Sequence, residues 1–413
     1  MEENGLLSER QFGFRAGRGT EDQLLLMYGK LAKCVDAGGV VDVLFLDFSK
    51  AFDLVCHRIL LEKLVLLGFD RKLICWIENF LVARTFSVKV DEFESSVRGC
   101  ASGVPQGSVL RPLPFLIYAN HVASGSTCEW LAFVDDFKLG MFCERENISS
   151  ADGSAAQLQG DLDSMVELGR SWKLRLNPGK CVVMRFGSRS AAGAMTAKYR
   201  VDGEELKFVQ TYRDLGVVVD VTLRFHSHIN IVVGKAGSLM GELLRGTVCR
   251  DRKFMVALFV SHVRPLLDYC STVWNVGYLA DVRRLESVQR RWTKQIAGLG
   301  HMDYGDRLRA LGMFSVSGRL LRADLVKMWR IARGDLVEDM AELLTLAPDT
   351  RARGHRFKLL VPACHSEMRR RFFGVRTVSV WNGLAAELVD SETVACFKRG
   401  LGVCLGELMF RVL

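Results

Sequence analysis

Apolar residues along this chain change their period several times, and the changes separate a mixed first half from a helical second half. Residues 40–48 form an almost unbroken apolar run rich in β-branched side chains, which predicts a buried strand. Residues 57–67 carry apolar positions at helical spacing and stop at Gly68, a residue suited to a helix C-terminal cap. Residues 71–82 predict a second helix. In residues 85–90, Phe86, Val88 and Val90 alternate, the pattern of a strand with one buried face. Residues 129–134 and 137–143 are strand-like runs on either side of Asp135-Asp136, so the acidic pair falls at a hairpin turn. An amphipathic helix over 155–172, a turn at Asn177-Pro178-Gly179 and a strand over 181–186 follow.

These elements predict an α+β domain up to about residue 190. Residues 188–197 are small and polar and read as a junction. Two short strand candidates come next, at 198–201 and 215–219. After His226 the pattern is almost wholly helical, with helices expected at 229–244, 254–273, 282–297 and 319–333. The chain has no internal repeat and no low-complexity tract.

Composition narrows the class. A chain of 413 residues is long enough for two or three domains. Its 49% hydrophobic and 25% charged content is ordinary for a folded protein. The net charge of +9 suits an acidic partner such as nucleic acid, and equally a merely soluble surface. None of the twelve cysteines stands in a Cys-x-x-Cys pair, which argues against a zinc ribbon and for reduced thiols. The acidic start, Met1-Glu2-Glu3-Asn4, is unlike a signal peptide. Residues 112–134 are the stretch poorest in charge, but they hold two prolines, Asn120 and His121 and fail as a membrane span. The expectation is a nuclear or cytoplasmic protein with no membrane partner; its oligomeric state is left open.

The chemistry gathers on carboxylates. Asp135 and Asp136 are adjacent in an apolar frame, Phe133-Val134-Asp135-Asp136, and like charges so close raise each other's pKa. A divalent cation offsets that cost, and Mg²⁺ often takes one or two carboxylates together with substrate phosphates. Asp47 ends the strand at 40–48. If that strand neighbours the hairpin, three carboxylates converge at one sheet end, as a two-metal phosphoryl- or nucleotidyl-transfer site requires. Taken singly, each motif is also what an ordinary polar turn or helix cap looks like. Ser102-Gly103-Val104-Pro105-Gln106-Gly107-Ser108 adds a loop whose glycines allow close backbone approach and whose Gln106 can offer an amide to a base pair; alone it is also a plain loop before a helix. His226-Ser227-His228 reads as a surface turn rather than a metal site, and Trp292, Trp329 and Trp381 as core residues. The basic stretches at 250–253, 290–291 and 369–371 suit a phosphate backbone and solvated helix faces about equally.

In order, Asp47-Phe48-Ser49-Lys50-Ala51-Phe52, residues 102–108 and Phe133-Val134-Asp135-Asp136 resemble the reverse transcriptases of LINE-type (non-LTR), jockey-like retrotransposons. Gln11-Phe12-Gly13-Phe14-Arg15 is similar to the family's fingers-to-palm segment. Leu176-Asn177-Pro178-Gly179-Lys180-Cys181 is similar to the segment closing the palm, and Tyr212-Arg213-Asp214-Leu215-Gly216-Val217 to the start of the thumb. Further likeness lies at 264–269, 285–291, 370–376, Trp381-Asn382 and Phe397-Lys398, so it covers essentially the whole chain.

The resemblance implies a right-hand polymerase: a palm with partial fingers over 1–190, a thumb-like connection over 191–275 and a helical C-terminal region over 276–413. It implies RNA-directed DNA synthesis, with Asp47, Asp135 and Asp136 as catalytic ligands of two Mg²⁺ ions, Mn²⁺ being an alternative. The partners implied are an RNA template, a DNA primer and deoxynucleoside triphosphates. Phe48, through its main chain, Phe52, beneath the incoming sugar, Gln106 and Gly107 would line the nucleotide pocket. Lys180 would meet the departing pyrophosphate.

The chain departs from the family at Arg111 (usually Gly), Pro114 (Leu), His121 (Asp), Cys56 (Pro), Phe137 (Thr) and Val134 (Ala). The family normally carries more fingers sequence before the Gln11–Arg15 segment and an endonuclease domain further upstream, and the expectation is that this chain begins too late to include either. An N-terminally truncated, catalytically impaired copy that at most binds nucleic acid is the alternative expectation.

Overall fold

The computed structural model describes residues 5–146, 151–188, 192–193, 196–336, 338–348 and 354–410. Two compact units emerge: residues 1–23 with 38–209, and residues 24–37 with 210–413.

The first unit is built on a five-stranded sheet. Its strands are β1 (Val40–Asp47), β2 (Glu129–Phe133), β3 (Asp136–Cys143), β4 (Val182–Phe186) and β5 (Lys207–Phe208), in the order β5-β4-β1-β3-β2. All neighbours are antiparallel except β5, which runs parallel to β4. β1 is buried along its length up to Asp47, because it lies between β3 and β4. One sheet face, through Leu44, Leu46, Phe137, Leu139 and Val183, shares a core with Leu158, Leu162 and Met165. Those three belong to the helix Ala151–Ser171. Ile59, Leu60 and Leu64 of the helix His57–Leu66 and Phe115 and Ile117 of Pro112–Ala119 complete that core.

Asp42 sits in the central strand with no solvent exposure, which is tolerable because its charge is fully met. Arg185 grips it with two hydrogen bonds of 2.7 Å, and Tyr199 Oη donates a third at 2.8 Å. The helix Pro112–Ala119 accommodates both of its prolines. Pro112 is its first residue and Pro114 lies in its first turn, where the missing N–H groups would have no helical partner.

Three expectations need correction. Residues 85–90 are not one half-buried strand. They hold two two-residue strands, Thr85–Phe86 and Lys89–Val90, each in its own ribbon and exposed on both faces. Residues 254–273 do not form one helix. Arg252–Leu258 passes into a wider π-turn at Phe259–Val263 just before Pro265, which has no N–H to continue the ladder, and Cys270 (φ +50°) breaks the path again. His226 and His228 are not in a surface turn; they open the helix His226–Gly246. His228 is buried, and its Nδ1 accepts a hydrogen bond from the Val218 N–H at 3.2 Å. A helix at Thr20–Asp36 went unanticipated. Its residues 22–29 are buried on every side, so the sequence there has no helical polar–apolar period to read. The expected junction at 188–197 falls partly outside the described residues.

The second unit holds the ribbon Thr211–Asp214 with Val217–Asp220, followed by helices. The longest are His226–Gly246, Leu279–Lys294 and Val316–Ala332. Trp292, Trp329 and Trp381 are core residues, and each indole N–H reaches a main-chain carbonyl.

Candidate active site

The register of β1 against β3 sets the acidic residues. Eight pairs run from Val40 opposite Cys143 to Asp47 opposite Asp136. Asp47 and Asp136 thus end adjacent central strands as direct partners, and side chains so placed stand on the same face about 5 Å apart. β2 and β3 close through a two-residue turn, Val134-Asp135, with Phe133 paired to Asp136. Asp135 therefore occupies the turn itself, and Asp136 opens the strand.

The chain beyond β1 is stapled by the segment before Lys180. Ser49 N–H donates to the Arg175 carbonyl at 2.8 Å, Asn177 N–H donates to the Asp47 carbonyl at 2.8 Å, and Phe48 bridges Leu176. The turn is closed by the Lys180 N–H on the Asn177 carbonyl at 3.0 Å. It carries the Lys180 ammonium to 3.3 Å from Asp47 Oδ2. That oxygen is shut off from water and accepts no hydrogen bond, so the ammonium is close to it without being aligned on it.

Asp135 is the electrostatically costly member. Burial above all, and then the Asp47 charge, push its carboxyl above the usual carboxylate range. A main-chain hydrogen bond, Arg111 and Lys180 oppose the rise. An orphaned carboxylate oxygen beside a second, desolvated carboxylate is a donor set that suits a hard divalent cation. Among the described residues, no three His, Cys, Asp or Glu side chains are gathered closely enough to hold an ion by themselves. The set fits an ion whose remaining ligands come from substrate phosphates and water.

The residues expected from the sequence to line a nucleotide pocket lie on two interlocked loops. Asp53 and Leu54 N–H groups both donate to the Lys50 carbonyl, turning the chain after β1. Gly103 (φ +82°) presses onto that turn so closely that a Cβ would lie 2.8 Å from the Asp53 carbonyl oxygen. Its own carbonyl accepts from His57 Nε2 at 2.8 Å and from Arg84 Nη2 at 2.7 Å. Val104 N–H then donates to the Phe52 carbonyl at 3.1 Å, which ties the 102–108 loop to Phe52. Gln106 and Gly107 are exposed beyond it, Gly107 with φ +76°. Phe48 offers only its main chain, since its side chain is buried with its ring edge-on to Phe137 at 5.4 Å.

Phe52 packs on Phe115, with ring centroids 4.5 Å apart. The Arg111 guanidinium lies over the Phe52 ring at 4.5 Å. Sequence reasoning identified Arg111 as a departure but gave no sign that it would cover Phe52. It also gave no role to Gln11, whose side chain is buried against the 134–135 turn.

An α+β domain with two acidic strand ends in register, a third carboxylate in the turn between strands and a glycine-docked loop beside them has the layout of a nucleotidyl-transfer centre. The family described as reverse transcriptase (RNA-dependent DNA polymerase) matches residues 1–219, just over half of the chain. The chain belongs to that family. It is 26% identical over 295 residues to the RNA-directed DNA polymerase from mobile element jockey of Drosophila melanogaster, covering 70% of this chain and 32% of the relative. It is 25% identical over 334 residues to the probable RNA-directed DNA polymerase from transposon BS of the same species, covering 78% and 36%. The chain thus spans about a third of the length of these relatives. Among solved structures, apo telomerase from Candida Tropicalis aligns with 10% identity and a TM-score of 0.37, over 81% of this chain and 52% of that one.

Proposed function

We propose that this chain carries the polymerase centre of a non-LTR retrotransposon reverse transcriptase, extending a DNA primer along an RNA template with deoxynucleoside triphosphates. The observation that supports it most is the β1–β3 register, which makes Asp47 and Asp136 cross-strand partners beside Asp135. The first unit then corresponds to the palm with partial fingers, and the ribbon and helices that open the second unit to a thumb-like part. Asp47, Asp135 and Asp136 would hold Mg²⁺ or Mn²⁺. Two such ions would supply activation of the primer 3′-hydroxyl and charge compensation for the leaving pyrophosphate.

The residues of the chain itself do the positioning. Phe52, backed by Phe115, forms a rigid floor for the incoming sugar and meets a 2′-hydroxyl with its ring. The loop tied to it by Val104 brings the Gln106 amide and the Gly107 backbone to the base pair. Lys180, held beside Asp47, keeps a positive charge where the pyrophosphate departs. Nucleotidyl transfer asks chiefly for such positioning and charge stabilisation.

Primer extension on a homopolymer RNA template tests the reading. The wild type should extend the primer with Mg²⁺, and Asp135→Asn should lower the rate by about a thousandfold or more, since ion-borne charge stabilisation is worth several kcal/mol. Phe52→Ala should retain extension while accepting ribonucleotides about tenfold more readily, the scale of one steric contact in a pocket. RNA binding that weakens steeply with salt, with no extension under any metal, would instead mark a binding remnant.

A further inference from the structure

Gln11 stands outside every step above, yet its side chain has only 4% exposure and makes two of its three hydrogen bonds to Val134 of the 134–135 turn. Oε1 accepts from the Val134 N–H at 2.9 Å and from the Gly13 N–H at 2.8 Å. Nε2 donates to the Val134 carbonyl at 3.3 Å. The amide orientation is fixed by these partners: turned over, it would set its NH₂ against two N–H groups and its oxygen against a carbonyl. The surrounding main chain is tied to the same strand. Phe12 N–H donates to the Ala132 carbonyl at 2.8 Å, and Ala132 N–H to the Arg10 carbonyl at 2.9 Å.

The turn has reason to need a clamp. Val134 adopts φ +62°, a conformation that a β-branched residue strongly resists and that glycine takes freely. Gly13 closes over it with no room to spare, since a Cβ there would lie 2.4 Å from Val134 Cγ2 and 2.8 Å from its N. The next two residues are Asp135 and Asp136.

We infer that Gln11 is a positioning residue. Its side-chain amide stands in for a peptide unit, holds Val134 in the left-handed conformation and so aims the two carboxylates that follow. This rests on the metal-binding reading of Asp135 and Asp136. It predicts that losing the clamp weakens divalent-ion binding, and that easing the turn restores it.

The test is a Mn²⁺ titration followed by the electron paramagnetic resonance of the free ion, on wild type, Gln11→Met, Gln11→Asn, Val134→Gly and the Gln11→Met/Val134→Gly double variant. Circular dichroism first establishes that each is folded, and Gln11→Asn, which keeps the amide but shortens its reach, stands in should Gln11→Met fail to fold. Gln11→Met should raise the Mn²⁺ dissociation constant about tenfold or more, the scale on which orienting partners act on metal affinity. The double variant should recover most of that loss, and amide exchange at residues 134–136 should quicken in Gln11→Met alone. Unchanged affinity and unchanged exchange in the folded Gln11 variants would overturn the inference while leaving the metal site standing. A double variant as weak as Gln11→Met would overturn it too. If wild type binds no Mn²⁺, the metal reading falls first and this inference with it.

Discussion

Arg111 and Val134 are the two residues at which the site departs most from what its chemistry would ask for. Over the Phe52 ring, the Arg111 guanidinium occupies the space that the proposed function gives to the incoming sugar, so a nucleotide must displace it. A cation–π contact of this kind is worth about 0.5–1 kcal/mol. Arg111→Gly should therefore lower the KM for deoxynucleotides about two- to fivefold with kcat little changed, read by steady-state extension. A raised KM would mean that the guanidinium grips the substrate instead of covering its seat.

Side chains of this kind explain what the sequence could and could not reveal. Asp47, Asp135 and Asp136 were legible because short local motifs carry them. The Gln11 amide lies 123 residues from the turn it holds, and no spacing rule connects the two. Nor does any local pattern say that a valine there takes a glycine's backbone angle.

At the scale of elements, the legible parts were those with a clean period. β1, the hairpin strands and the helices flanking them follow the apolar pattern to within a few residues. The failures have physical causes: residues 22–29 of the helix Thr20–Asp36 are buried all round, Pro265 and Cys270 interrupt a long apolar run, and alternation at 85–90 occurs without burial. The start of His226–Gly246 adds a pH response that the sequence did not show. Burial first, then Lys235 and Arg213, lower the His228 imidazole to about 4, so it is neutral in the fold and takes up a proton on unfolding.

The sign follows from that difference. Between about pH 6.5 and 4 the unfolded chain binds the extra proton, so stability is lost as pH falls through this window. His228→Asn keeps an acceptor for the Val218 N–H but does not titrate. Urea unfolding should show a flatter pH dependence for this variant between 6.5 and 4. An unchanged slope would remove His228 as its source.

For the molecule as a whole, charge and composition bounded the class without choosing within it. A net charge of +9 fits nucleic-acid binding, none of the twelve cysteines is joined in a disulfide, and no helix among the described residues is long and apolar enough to cross a membrane. What selects the reading is one convergence: two chain segments nearly ninety residues apart meet at a single sheet end and present carboxylates there. Iron-directed cleavage measures that convergence without requiring turnover. With Fe²⁺ in place of Mg²⁺, ascorbate and peroxide generate radicals that cut the backbone beside the bound ion, and mass spectrometry locates the cuts. Three carboxylates sharing bound ions should confine the cuts to two regions, around residues 46–49 and 133–137, suppressed by excess Mg²⁺ and lost in Asp135→Asn. Cuts at only one of the two regions, or a pattern indifferent to Mg²⁺ and to Asp135→Asn, would contradict that convergence.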